Sequence, residues 1–239
     1  MQAVALALEH SWAPVATSPS ASRQTLRNLR LALDEELVAR CQEGDTVAFR
    51  ELFRLHRSDV ARLVQRMLSG RTSDVEDVVQ EVFLQVHRSI KDFRGQARFS
   101  TWLYRVTVNV VLMHRRAAKS RPVLVEQPEG HMPEDHDPLP DEQVARRTRV
   151  AAFGRLLERI SEKKRTVFIL HELEGMPAAE IAEVVGAPVL TVRTRLFYAR
   201  KELADMLREE PSLAALADSL DSDARPRRKR GSRVREERT

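Results

Sequence analysis

The sequence predicts an all-α protein of two small helical domains joined by a flexible acidic linker, and three observations carry that reading. Apolar residues recur at the three-then-four spacing of a buried helical face in one segment after another, and no run alternates with strand period long enough to matter. Five prolines (Pro122, Pro128, Pro133, Pro138, Pro140) crowd into one stretch. Seven acids and no Lys or Arg fall between residues 126 and 142, which is the composition of an inter-domain connector. A chain of 239 residues, 42% of them hydrophobic, can bury one sizeable core or two small ones, and a break at that stretch favours two.

In chain order, residues 1–32 show no sustained period and are rich in Ala, Ser and Pro, so they read as an unstructured leader. The leader has a short apolar run but no basic residue before it, and Glu9 and His10 end it early, unlike a secretory signal. The first domain is expected over 33–119. Val47, Phe49, Leu52, Phe53, Val60, Leu63, Val64 and Met67 fit one amphipathic helix over roughly 45–68, ended by Gly70. Ser73 and Glu76 have the spacing of a capping box for a second helix to about Arg88, with Val75, Val78, Val79, Val82, Phe83, Val86 and Ile90 inward. Ser100 is the expected N-cap of a third, from Thr101 to about Ala118, with Trp102, Leu103, Val106, Val110 and Met113 as its stripe. The acidic linker occupies 120–144.

The second domain is expected over 145–210, and residues 211–239 form a basic tail. Val150, Phe153, Leu156, Leu157 and Ile160 mark one helix. Ser161 opens another, with Val167, Leu170 and Leu173 inward and Gly175 closing it. Two apolar-periodic helices then flank a Gly186-Ala187-Pro188 turn. From Arg225 onward eight bases stand against two Glu, a local excess larger than the whole chain's net charge of +5. Such a tail either adds salt-sensitive nucleic-acid affinity or is a solvated end.

Several function classes find no residues. The single cysteine, Cys41, excludes an internal disulfide and a cysteine-cluster metal site, and fits a reducing compartment. No segment approaches the roughly 18 consecutive apolar residues of a membrane span. His171-Glu172 lacks the second His of a zinc-protease helix, and His131, Asp135, His136 and Asp137 lie unpositioned in the linker. With no phosphate-binding glycine loop and no nucleophile elbow, no catalytic residue, cofactor or metal site is expected.

Three stretches carry chemistry instead. Around the Gly186 turn, Ile181, Ala182 and Val185 face Val192, Leu196, Ala199 and Leu203. Thr191, Arg193, Thr194, Arg195, Tyr198 and Lys201 are thereby left on the outer face of the second helix. This is a helix-turn-helix, whose second helix presents side chains to base edges and phosphates in the major groove. The alternative is a plain hairpin with a solvated basic face. From Phe93 to Arg116, Phe93, Phe99, Trp102 and Tyr104 interleave with Arg94, Arg98, Arg105 and Asn109, which suits unstacked bases, or else the rings are core and the arginines solvated. Asp74, Asp77, Gln80 and Glu81 share an outer helical face, either solvated or a docking surface for a basic partner.

Taken in order, the segments GDTVAFRELFRLHR (44–57), DVEDVVQEVFLQV (74–86), FRGQARFSTWLYRVTVN (93–109) and EGMPAAEIAEVVGAPVLTVRTRLFYARKEL (174–203) resemble a bacterial RNA polymerase sigma factor of the extracytoplasmic-function (ECF) group of the sigma-70 family. The resemblance covers about two-thirds of the chain and implies a job for each face. The acidic face, Asp74, Asp77, Gln80 and Glu81, would dock on the clamp of the largest subunits of RNA polymerase core. Arg94, Arg98, Phe99, Thr101, Trp102, Arg105 and Asn109 would open and read the minus-ten element. Thr191, Arg193, Thr194, Arg195, Tyr198 and Lys201 would read the minus-thirty-five element. The acidic linker would pass through the polymerase active cleft.

The resemblance further implies promoter DNA and an anti-sigma factor as partners, a stress- or signal-responsive regulon, and no membrane insertion. It also implies a cytoplasmic, nucleoid-associated location, with retention at the inner membrane by the anti-sigma factor. The class it leaves as alternative is a freestanding helix-turn-helix regulator with the first domain serving for dimerisation. Pro177 stands where the family often has a Ser or Thr cap, and Leu190 replaces a frequent Gly. Thr107-Val108 replaces a commoner small or basic pair.

Overall fold

A computed structural model describes residues 20–69, 72–120, 141–210, 213 and 220. Helices α1 (Ser20–Gln42), α2 (Thr46–Met67), α3 (Val75–Ser89) and α4 (Phe99–Ser120) form the first domain. Single 3-10 turns at Thr72–Asp74 and Ile90–Asp92 flank α3. Helices α5 (Asp141–Arg159), α6 (Glu162–Phe168), α7 (Ala178–Val185) and α8 (Val189–Arg208) form the second, with a π-helical turn at Ile169–Leu173 after α6. The described residues contain no strand. No helix among them is long and apolar enough to cross a membrane.

In the first domain α1 packs on α2, α2 on α3, and α3 on α4. Leu37, Val38, Leu52, Leu63, Val64, Val79, Val82, Val86, Leu103 and Val111 are all buried there. Each such side chain contributes about 1.5–3 kcal/mol on burial, so the stripes read from the sequence are what assemble this half. In the second, α6 and α7 both pack on α8 around Phe168, Leu170, Ile181, Leu203 and Leu207.

Five expectations change. Residues 20–32, assigned to the leader, are helical in α1, while residues 1–19 lie outside the described residues. The segment has no Gly or Pro to stop it, and Arg30 ties it to α2 through the Leu55 carbonyl (3.2 Å) and Asp59 (2.7 Å). The capping box does not form. Ser73 Oγ bonds Asp74 instead (3.0 Å), and Glu76 is drawn outward by Arg57 (2.7 Å). Helix α4 begins at Phe99 rather than after Ser100. Met113 and Val47 are exposed at 66% and 50%. In α4 the buried face is Phe99, Thr101, Leu103, Thr107, Val108, Val110 and Val111, rotated from the expected stripe because Thr107 satisfies its hydroxyl on the Leu103 carbonyl (2.9 Å) and can be buried. Residues 141–144, counted as linker, belong to α5; 121–140 lie outside the described residues, as does the basic tail from Arg225.

Candidate nucleic-acid interface

The helix-turn-helix is built as its spacing requires. Gly186 sits in the left-handed region (φ 60°, ψ 44°) and closes α7, and the Ala187 N–H reaches the Ala182 carbonyl (3.1 Å). Val192, Leu196, Ala199 and Leu203 hold α8 against the core. On its outer side Arg193, Thr194, Tyr198 and Lys201 are exposed, and Thr191 and Arg195 half-buried. Thr194 spends its hydroxyl proton on the Leu190 carbonyl (2.9 Å), so only its oxygen lone pairs face outward. Tyr198 lies edge-on to Phe197 (5.4 Å) with the Lys164 ammonium 5.9 Å from its ring centre. Two neighbours that sequence reasoning missed, Leu190 (75% exposed) and Phe197 (42%), add an apolar patch.

The aromatic–basic stretch makes a cavity of about 140 Å³ lined by Asp92, Phe93, Arg94, Gln96, Thr101, Trp102 and Arg105, with Glu183 from α7. Its floor is a ring cluster, with Phe93 and Trp102 5.3 Å apart and Phe99 within 5.9 Å of both. Phe99 is only 5% exposed and leans on His56, so it supports the pocket rather than facing a ligand. Thr101, 4% exposed, likewise lies in its wall. Burial separates the two rings: Trp102 is half-buried and lines the cavity, and Phe99 is core. Arg94 and Arg105 line the cavity and are exposed, and Arg98 and Asn109 are exposed elsewhere on the same stretch.

Three residues that no site reading singled out, Gln42, His56 and Asp34, support this pocket. Gln42 donates to the Ile90 (3.0 Å) and Phe93 (2.7 Å) carbonyls and pins the loop that carries Phe93. Behind Phe99, His56 and Asp34 are buried and joined at 2.8 Å.

On α3, Asp77, Gln80 and Glu81 are exposed side by side, and Asp74 is half-exposed with His114 3.3 Å away. Leu84, half exposed and one turn further along, completes a face that is acidic with an apolar end. The structure therefore brings Arg94, Thr101, Trp102 and Arg105 of the minus-ten candidates around one cavity with Phe99 packed against its rings, and does not bring Arg98 or Asn109 into its lining. Among the described residues no group of three or more His, Cys, Asp or Glu could hold a metal ion.

The two domains also touch, with α4 lying against α7 and ion pairs between them. Arg66 pairs with Glu174 (2.6 Å), Arg98 with Glu180 (3.7 Å), Arg115 with Glu158 (2.5 Å) and Arg116 with Glu162 (3.5 Å). Tyr104 donates weakly to Glu174 (3.5 Å), and burial, aided by the Glu174 charge, pushes its phenol pKa up, so it stays a donor.

Residues 52–121 match the family model for sigma-70 region 2, and 151–203 the model for sigma-70, region 4. The chain is 36% identical over 182 residues to the ECF RNA polymerase sigma-E factor of Haemophilus influenzae, covering 73% of this chain and 95% of that one. It is 36% identical to the ECF RNA polymerase sigma-E factor of Escherichia coli (71% and 92%) and 34% identical to the RNA polymerase sigma-H factor of Pseudomonas aeruginosa (74% and 96%). Among solved structures it is similar to CnrH in complex with the cytosolic domain of CnrY, at 26% identity and a TM-score of 0.57, over 74% of this chain and 99% of that one. Two matched regions in family order, on a helical fold with a helix-turn-helix at one end, place the chain: it belongs to the sigma-70 family of RNA polymerase sigma factors, in the ECF group.

Proposed function

We propose that this sigma factor acts in the cytoplasm, has no catalytic residue of its own, and divides its work among the three faces. The exposed carboxylates Asp77 and Glu81, with Gln80 between them and Asp74 at the edge, grip a basic surface on polymerase core. Charge complementarity of this kind sets orientation and on-rate more than affinity. Leu84 supplies the apolar contact that holds the complex once formed.

Promoter reading is shared. Arg193 and Arg195, with Thr191, Thr194, Tyr198 and Lys201, meet the minus-thirty-five duplex in the major groove, where a bidentate Arg–guanine pair discriminates by about 1–3 kcal/mol. Arg94, Arg98, Arg105 and Asn109 hold the strand separated at minus ten, and an unstacked base enters the cavity against Trp102 and Phe93, each stack being worth about 1–3 kcal/mol. The acidic linker separates the two readers and threads the active cleft. A protein that sequesters the factor is the third partner in this reading, in keeping with CnrH, which was solved bound to the cytosolic domain of another protein.

The observation that carries the proposal is one chain holding an exposed acidic face, an arginine-rimmed aromatic cavity and a helix-turn-helix with outward arginines. The test is binding of the labelled chain to core polymerase. Asp77→Lys with Glu81→Lys is expected to abolish it, and undiminished binding by that double variant would sink the docking assignment.

A further inference from the structure

We infer that Leu190 reads the 5-methyl group of a thymine in the duplex that α8 meets, so that the element is selected through an apolar contact as well as through arginine. The inference rests on the assignment of α8 to the minus-thirty-five duplex, and adds to it one residue and the base which that residue selects.

Val192, Leu196, Ala199 and Leu203 are buried and fix the inner side of α8. At about 100° per residue, the line directly opposite runs through Leu190, Thr194 and Lys201, with Phe197 and Tyr198 close to it on either side. Arg193 and Arg195 fall about a quarter turn away, one to each side. At the leading end of the helix, the side chains that project furthest are therefore a leucine and a threonine. Leu190 is 75% exposed, more than any other large hydrophobic residue among the described residues, and Phe197 and Tyr198 continue the same face two turns on. Large apolar side chains gathered on one exposed face mark a contact surface, and the basic flanks fit that surface to nucleic acid. The first turn is also held in place, because the Val192 N–H bonds the Pro188 carbonyl (3.1 Å) directly after the Gly186 turn. In a helix-turn-helix the N-terminal turns of the second helix are the ones that reach base edges.

The neighbour of Leu190 narrows the base. Thr194 gives its hydroxyl proton to the Leu190 carbonyl (2.9 Å), which leaves the outermost line no donor for a purine N7 or a guanine O6 before Lys201. What the line offers is an apolar group and, one turn on, an oxygen that accepts. An A·T pair presents the complement in the major groove, with the thymine methyl and the adenine amino group side by side. A G·C pair offers the cytosine amino group but no methyl, so the Leu190 contact is what separates the two. Arg193 and Arg195, set to the flanks, address phosphates or guanines of neighbouring pairs.

The test pairs the full chain with polymerase core and uses random-sequence duplex DNA as the probe, with core alone as the blank. Duplexes retained by the complex are sequenced, and each thymine of the enriched element is replaced in turn by deoxyuridine, which pairs identically and lacks only the methyl. The parent chain is expected to lose about fourfold in affinity at one such position, the value of one buried methyl. Leu190→Ala should bind the thymine duplex more weakly by at least that factor and be indifferent to the exchange, while Leu190→Met should restore the difference. Both variants are expected to keep the parent's thermal melt and core binding, since the side chain is exposed. A parent that binds every deoxyuridine duplex as tightly as the thymine duplex overturns the inference, and so does a methyl effect undiminished in Leu190→Ala. Weaker core binding by Leu190→Ala with the thymine preference intact assigns the patch to polymerase and overturns it too. Arg193→Ala separates these outcomes from the underlying assignment. If it weakens duplex retention while deoxyuridine has no effect, α8 reads the duplex but not through Leu190. If no shared element is enriched and Arg193→Ala changes nothing, the minus-thirty-five assignment fails and the inference fails with it.

Discussion

Replacing Glu158 by Gln isolates the charge that joins the two domains. Arg115 donates to both Glu158 oxygens and Arg165 of α6 to one of them at 2.7 Å, so a single carboxylate serves two guanidiniums. Burial by itself would raise the Glu158 pKa, but the Arg115 hydrogen bonds and the Arg165 charge outweigh it and hold the group at about 2, against an ordinary 4.5. At 1.36 kcal/mol per pKa unit a shift of that size corresponds to about 3 kcal/mol in a sealed site. The Glu158 side chain is 40% exposed. Solvent screening brings the figure to about 1–2 kcal/mol. Because the pKa is depressed, the stabilisation is present above the ordinary carboxylate pKa and is lost as pH falls from there towards about 2. Glu158→Gln is therefore expected to lower the melting temperature by about 2–8 °C near neutral pH, with the gap to the parent closing as the buffer is taken from about pH 5 to about pH 3. A gap that is the same at both ends of that range would refute the reasoning.

Other consequences are simpler to read. Leu203, fully buried between α8 and α6, is expected to cost about 2–5 kcal/mol when cut to Ala, measured by urea denaturation. Asp77→Lys with Glu81→Lys should leave stability within about 0.5 kcal/mol, since both side chains are exposed, while removing polymerase binding in a pull-down with core enzyme. Arg193→Ala should weaken duplex binding by about 1–3 kcal/mol with relaxed sequence preference if it reads a base, or lower the salt slope by about 1 if it holds a phosphate. A titration at several salt concentrations separates the two.

Periodicity was informative where packing alone decides. The α3 stripe Val78, Val79, Val82, Phe83 and Val86 is buried as its spacing demands, and Gly186 closes α7 in the left-handed conformation expected of that turn. It was less informative where polar groups settle their hydrogen bonds locally. Thr107 could turn α4 about its axis only because the Leu103 carbonyl accepts its hydroxyl, and a hydropathy pattern counts Thr as outward. Phe99 and Trp102 look equivalent in sequence; their difference depends on His56 and Asp34, more than forty residues upstream. The charge pairs between the domains were illegible for the same reason, because Glu158, Glu174 and Glu180 read as solvated positions until α5 and α7 are set against α2 and α4. The helical start at Ser20 was missed because residues 20–32 lack a clean apolar period.

Whether the chain directs initiation is tested most directly by run-off transcription with purified polymerase core, with and without the chain, across a library of genomic promoter fragments. Discrete transcripts from a subset of fragments that share two elements at fixed spacing, none of them made by core alone, are the expected result. Transcripts no different from those of core alone, or tight symmetric duplex binding that needs no polymerase, would contradict it.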